Sequence, residues 1–185
     1  MVLFKQLFDE VHQASSIEAA EASKLVENVY RAVNIALANE WDEICKGLNL
    51  DVWEIIELAA TKPFGFQAFY PGPGVGGHCI PVDPYYLLSK LKSVGANAGL
   101  INLACDLNKK RPQMIVRKIE AFLESRSKAI KGSNLLLIGL GYKKNISDLR
   151  ESPAIEILDL LINLGCNLKW HDPLVTSNHS QRDVQ

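Results

Sequence analysis

The chain has 185 residues, 20 lysines and arginines against 21 aspartates and glutamates, and is 48% hydrophobic. A net charge of −1 supplies no basic field to steer the chain onto nucleic acid or a membrane surface, and no apolar run reaches the roughly 18 residues of a spanning helix. Cys45, Cys79, Cys105 and Cys166 are widely spaced, so neither a disulfide framework nor a metal site is expected, and the reading is a cytoplasmic protein with reduced thiols.

Residues 1–14 are weakly patterned and form either a short helix or a frayed end. Ser15, followed three residues later by Glu18, has the spacing of a capping box. Ala19 to Lys46 then holds no Gly or Pro, which predicts one long helix stopping at Gly47 in the left-handed position. Its apolar stripe is Leu25, Val29, Ala32, Val33, Ala36 and Leu37, and a second stripe, Lys24, Asn28, Arg31 and Ile35, is largely polar. Asp51 caps a second helix with apolar positions Trp53, Ile56 and Ala60, which Pro63 ends.

Phe64 to Pro81 holds five glycines and three prolines in eighteen residues, too many for regular structure, and reads as a shaped loop. Asp83 and Pro84 follow as N-cap and first residue of a third helix, Tyr85 to Val94, closed by Gly95. A fourth helix is expected from about Asn97 to Ser125, with Pro112 predicting a kink or break near Lys110. Asn134 to Ile138 is a short apolar run expected of a buried parallel strand, feeding the turn Gly139-Leu-Gly141. Ser152-Pro153 starts an amphipathic helix with Ile155, Leu158, Leu161 and Ile162 on one face, Gly165 ends it, and Cys166 to Trp170 reads as a second strand. The fold class is therefore a mainly α domain with a long helix, followed by the β-α-β beginning of an α/β Rossmann-like domain. The last dozen residues are polar and expected to be disordered.

Two readings stand for Cys79: a nucleophile held near a helix's positive end, or a small residue in a tight turn. Gly72 and Gly77 have the spacing of a phosphate-binding P-loop, but His78-Cys79 replaces its Lys-Ser/Thr and no strand precedes the loop. His78 has no partner ligands at usable spacing, so no metal is expected. The third position of the G-x-G-x-x-G pattern after Ile138 is Lys144, which weakens a dinucleotide reading. Lys143, Lys144 and Arg150 instead place cations where an anionic ligand meets the carboxyl end of the sheet.

Three segments together resemble the nucleotide-sugar dehydrogenase family that includes UDP-glucose and GDP-mannose dehydrogenases: Glu21-Ala-Ser-Lys24-Leu-Val-Glu-Asn28, Gly76-Gly-His-Cys79-Ile-Pro-Val-Asp83-Pro, and Gly139-Leu-Gly-Tyr-Lys143-Lys-Asn-Ile-Ser-Asp-Leu-Arg150-Glu-Ser. The likeness extends from about Ser15 to Pro173, and the run Thr61 to Gly74 is most similar to the branch that oxidises UDP-N-acetylhexosamines for surface polysaccharides. It implies oxidation of a sugar's C6 alcohol to a carboxylate, with NAD as cofactor and a UDP-sugar as substrate. By position, Cys79 matches the nucleophile, Asp83 the acid beside it, and Lys24 and Asn28 the pair that steadies oxyanion charge. Tyr142 and Lys143 match UDP-sugar contacts, Tyr70, Gly76 and Gly77 belong to the loop that wraps the sugar, and Arg150 matches a residue reaching the NAD site. The implied division is an unassigned segment 1–14, a helical central domain 15–131 that forms a homodimer, a partial Rossmann-like UDP-binding domain 132–175, and a tail 176–185. The family's main NAD-binding domain, with its threonine and glutamate, has no counterpart in this sequence. The resemblance thus implies a part of such an enzyme, inactive by itself, with a dimerisation module or a residual UDP-sugar binder as alternatives.

Overall fold

A computed structural model describes residues 3–175, so the expected tail lies outside the described residues. The elements run α1 (Phe4–Leu7), α2 (Ile17–Leu48), α3 (Val52–Ala60), α4 (Asp83–Ser93), α5 (Gly99–Glu124), β1 (Asn134–Ile138), α6 (Pro153–Asn163) and β2 (Asn167–His171). The predicted mainly α unit followed by β-α-β is what forms, and β1 pairs with β2 in parallel from Asn134↔Asn167 to Ile138↔His171.

Several boundaries differ from the sequence reading for local reasons. Ser16 rather than Ser15 caps α2, accepting from the Ala19 backbone N–H at 3.1 Å. The helix passes through Gly47, and Asn49 (φ 57°) takes the left-handed position, a conformation Asn tolerates through its short polar side chain. Helix α5 continues through Pro112 without a break. Asp83 is not an N-cap: Val82 occupies that position without a side-chain cap, because the Asp83 carboxylate is directed at α2. The second strand begins one residue late, at Asn167.

Burial also sharpens the stripes. On α2, Ala32 and Ala36 are buried as expected but Leu37 is exposed. Val52 and Ile56 are the buried face of α3, while Trp53 and Ala60 face outward. Helix α6 buries Ile157, Leu158 and Leu161, and Ile162 lies at the edge. Strand β1 is not buried on both sides: Leu135 and Leu137 pack on the core, whereas Leu136 and Ile138 are exposed, since a two-stranded sheet is covered on one face only.

Two apolar clusters result. The larger joins Val116 of α5, Leu140, Ile157, Leu158, Leu161, Leu168 and Val175, so α5 serves both the helical part and the sheet. The smaller is Cys45, Val52 and Ile56, under the turn between α2 and α3.

A charged network ties α2 to α5 and reaches the glycine loop. The Arg111 side chain is 3% exposed; it bonds Glu43 at 2.8 Å and Asp42, while Lys118 bonds both carboxylates. Arg111 Nε also donates to the Gly72 carbonyl at 2.9 Å, and the Gly72 N–H donates to Asn39 Oδ1 at 2.9 Å. Both backbone polar groups of one loop residue, Gly72, are thus fixed by side chains from the two main helices.

Burial pushes Asp42 and Glu43 up, but the hydrogen bonds from Lys118 and Arg111 outweigh it and hold both below their ordinary values of 3.8 and 4.5. Carboxylates with lowered folded-state pKa contribute stability that is present above those ordinary values and lost as pH falls below them. Arg111→Met removes the buried partner of these carboxylates, which keep Lys118, and leaves the Gly72 carbonyl unanswered, and should cost about 1–3 kcal/mol. Urea melts at neutral pH should show that loss, and a series down to acid pH should show a flatter pH dependence in the variant.

Candidate functional site

The long helix α2 exists because thirty residues pass without Pro, and its 3.6-residue period sets Lys24 and Asn28 on one face, one turn apart. Asp83 Oδ2 accepts from Lys24 Nζ at 2.6 Å and from Asn28 Nδ2 at 2.5 Å. Asp83 and Asn28 are 8% and 1% exposed, so the carboxylate is desolvated and answered by a cation and an amide. The Lys24 side chain remains 63% exposed although its ammonium is paired with Asp83. Its pKa is raised, chiefly by the hydrogen bond to Asp83, so it stays protonated to higher pH than an ordinary lysine.

Cys79 stands one turn before Asp83, half-buried, and its carbonyl accepts the Asp83 backbone N–H at 2.8 Å. That turn couples the thiol-bearing residue to the carboxylate. Lys24 reaches Asp83, and the Arg150 carbonyl accepts from Gly77 two residues before Cys79, so both cationic residues belong to segments that meet at the thiol-bearing turn. Four of the expected residues, Lys24, Asn28, Cys79 and Asp83, therefore converge.

The loop is pressed onto the segment after β1. A Cβ at Gly76 would lie 2.6 Å from Tyr142 Cβ and 2.7 Å from the Glu151 carbonyl oxygen. Gly77 has φ +82°, and a Cβ there would lie 2.7 Å from the Tyr142 ring. Its N–H donates to the Arg150 carbonyl at 2.9 Å. These two glycines thus hold the loop against Tyr142, a packing role that the expectation of sugar contacts did not contain. Lys143 Nζ lies 6.0 Å from the Tyr142 ring centroid, and Arg150 is forked onto Asp148. Tyr70 stacks on Trp53 of α3, with ring centroids 5.5 Å apart.

At the carboxyl end of the strands a cleft of about 430 Å³ is lined by Pro73, Gly139, Tyr142, Lys143, Lys144 and Asp172, among others. Asp172 Oδ2 accepts from the backbone N–H groups of Leu140, at 2.7 Å, and Gly141, at 3.2 Å. These bonds, the one from Leu140 foremost, hold Asp172 below the usual carboxylate range. The glycine turn therefore already holds an anion, and the cations that line the same cleft are the side chains of Lys143 and Lys144. Among the described residues, no group of three or more His, Cys, Asp or Glu side chains could hold a metal ion, and no helix is long and apolar enough to cross a membrane.

Two participants escaped the sequence reading. Arg31 donates to Asn28 Oδ1 at 2.5 Å, which fixes the amide with its NH2 toward Asp83. It belonged to the polar stripe of α2, which was the available signal. Asp172 follows directly on a strand end, where only the fold shows that it reaches back to the turn.

The profile of the UDP-glucose/GDP-mannose dehydrogenase family, central domain, matches residues 18–110, and that of the same family's UDP binding domain matches residues 136–185. UDP-N-acetyl-D-mannosamine dehydrogenase of Methanocaldococcus jannaschii is 43% identical over 155 residues, covering 84% of this chain and 34% of the relative. The enzyme of that name from Escherichia coli K12 is 37% identical over 173 residues, covering 91% and 39%. The structure of UDP-D-ManNAc dehydrogenase from Pyrococcus horikoshii superposes with a TM-score of 0.80 at 37% identity, over 88% of this chain and 38% of that one. The chain thus spans well under half the length of the relatives it matches.

Gly76→Ala should lower stability by about 1–3 kcal/mol, because the atoms facing the new methyl are a backbone oxygen and a Cβ that cannot swing aside. Gly72→Ala, with nothing within 4 Å of the added atom, should change it by no more than about 0.5 kcal/mol. Thermal melts of the two variants side by side check the contrast.

Proposed function

Because this chain belongs to the UDP-glucose/GDP-mannose dehydrogenase family, we propose that it carries the thiol site and part of the nucleotide site of an enzyme that oxidises C6 of a UDP-N-acetylhexosamine. The observation that carries this reading is the convergence of Lys24 and Asn28 on Asp83, one turn after Cys79. The division near residue 131, between a helical central part and a nucleotide-binding part, belongs to the same proposal.

NAD, where bound, accepts the hydride; of the residues in this chain, Arg150 is the candidate contact, exposed next to Cys79. The Cys79 thiol gives up its proton to solvent as its sulfur adds to the carbon of a C6 aldehyde, and the resulting oxyanion is met by the Lys24 ammonium, while the Asn28 amide holds the Asp83 carboxylate that positions Lys24. The remaining C6 hydrogen departs as hydride to a second NAD+, leaving a thioester, which water hydrolyses to the carboxylate with a proton returned to the Cys79 sulfur. Asp83 keeps Lys24 charged and in place, and, one turn after Cys79, is the candidate to pass a proton to or from that water. Tyr142 and Lys143 hold the nucleotide at the carboxyl end of the strands, with Lys143 answering phosphate charge.

Calorimetric titration of UDP should show binding that Lys143→Ala weakens at least about tenfold, the loss expected for a charge-assisted hydrogen bond. No sustained NADH absorbance should develop with NAD+ and UDP-N-acetylmannosamine; robust turnover would contradict the proposed division of labour.

A second reading concerns assembly. Val26, Tyr30, Leu37, Trp41, Ile44 and Leu48 are all 41–67% exposed and recur at three-, four- and seven-residue spacing along α2. Such a stripe is costly in water and fits a matching helix of a second copy. Sedimentation should report a dimer at micromolar concentration, and Trp41→Glu should return it to monomer.

A further inference from the structure

The turn Gly139-Leu-Gly141 follows the first strand of a parallel β-α-β unit, the place where a dinucleotide fold receives its pyrophosphate. Such a fold leaves the amides of the turn and the N-terminus of the next helix open for phosphate, and uses an acid beyond the second strand for ribose hydroxyls. This chain uses the same three positions in another way.

Asp172 follows directly on β2, but its carboxylate turns back to the end of β1. Oδ2 accepts from the N–H groups of Leu140 at 2.7 Å and Gly141 at 3.2 Å, while Oδ1 accepts from the Leu174 N–H at 2.9 Å. Both oxygens are engaged by backbone, so the carboxylate is a fixed part of the turn. The helix N-terminus is closed as well. Pro153 has no N–H, the Ala154 N–H goes to Ser152 Oγ at 3.3 Å, and the Ile155 N–H goes to the Ser152 carbonyl at 3.1 Å. Ser152 is 5% exposed and donates to the Leu140 carbonyl at 2.6 Å, which ties the cap of α6 to the same turn. Glu156 adds a negative charge to the first turn of α6. A phosphate arriving at this turn meets answered amides and a carboxylate of its own sign.

We propose that Asp172 is a specificity-determining residue: by filling the Leu140 and Gly141 amides with the chain's own carboxylate, it excludes a dinucleotide pyrophosphate from this turn. The proposal rests on the reading of the adjoining cleft as the UDP-sugar site, and it divides the labour further. The unit keeps the topology of a dinucleotide fold but refuses NAD, so the two nucleotides of the proposed reaction do not compete for one cleft.

Backbone-amide NMR of the whole chain with ADP-ribose, which carries the pyrophosphate without the nicotinamide, tests this. In the unsubstituted chain ADP-ribose should leave the Leu140 and Gly141 N–H signals in place. Asp172→Ala frees both amides and should give saturable shifts there, with affinity at least about tenfold above the unsubstituted chain, as charge-assisted hydrogen bonds provide. Asp172→Asn keeps an acceptor oxygen of the same shape without the charge, and should stay closed to the probe. Saturable shifts at the two amides in the unsubstituted chain, an equal gain in the Ala and Asn variants, or no gain in a folded Asp172→Ala would each overturn the proposal. The first of these needs no variant, so the proposal can be refuted even where Asp172→Ala does not fold. UDP titrated into the unsubstituted chain reports on the cleft through Tyr142 and Lys143, so failure of the nucleotide reading is seen separately from failure of the exclusion.

Discussion

The close approach of the glycine loop to the segment after β1 is the constraint on which the rest of the site depends. Gly76 and Gly77 let two backbones meet where any Cβ would collide with Tyr142 or the Glu151 carbonyl. That contact brings the loop that carries Cys79 to Arg150 and Tyr142, carried by the sheet unit. The same loop is held at its other end by Asn39 and Arg111 through Gly72. Between two fixed ends, the prolines limit what remains, so the thiol is positioned by backbone geometry more than by contacts of its own side chain.

The helix α2 has two opposed duties, and its length follows from them. One face packs on α5 and supplies Asn28 from a nearly dry position; another is apolar yet exposed. Asn28 works as a relay: Arg31 occupies its oxygen, so its NH2 group must turn to Asp83. An exposed arginine thus governs the orientation of a buried amide, and through it the setting of the carboxylate that keeps Lys24 charged.

Much of this was legible in the chain, and the exceptions share a cause. Element type followed from local signals: the absence of Gly and Pro through α2, the Ser152-Pro153 start of α6, the apolar run of β1. The i, i+4 spacing of Lys24 and Asn28 already put them on one face. What local signals missed was competition from distant partners. Asp83 has the sequence of an N-cap but serves Lys24 and Asn28 fifty and more residues away, and Trp53, apolar by type, lies outward on Tyr70. Arg111 and Asp172 were unremarkable as letters because their roles rest on groups contributed by other segments.

Asp172 gives the nucleotide cleft a property of its own. A carboxylate tethered to the chain is present at the Leu140–Gly141 turn at a fixed and high effective concentration, whatever the surroundings contain. The turn is consequently shaped by the chain itself, and its two N–H groups are already answered. The cations of the same cleft, Lys143 and Lys144, sit by contrast at the end of flexible stems. One wall of the cleft is thus fixed by a carboxylate and another is free to adjust its charge.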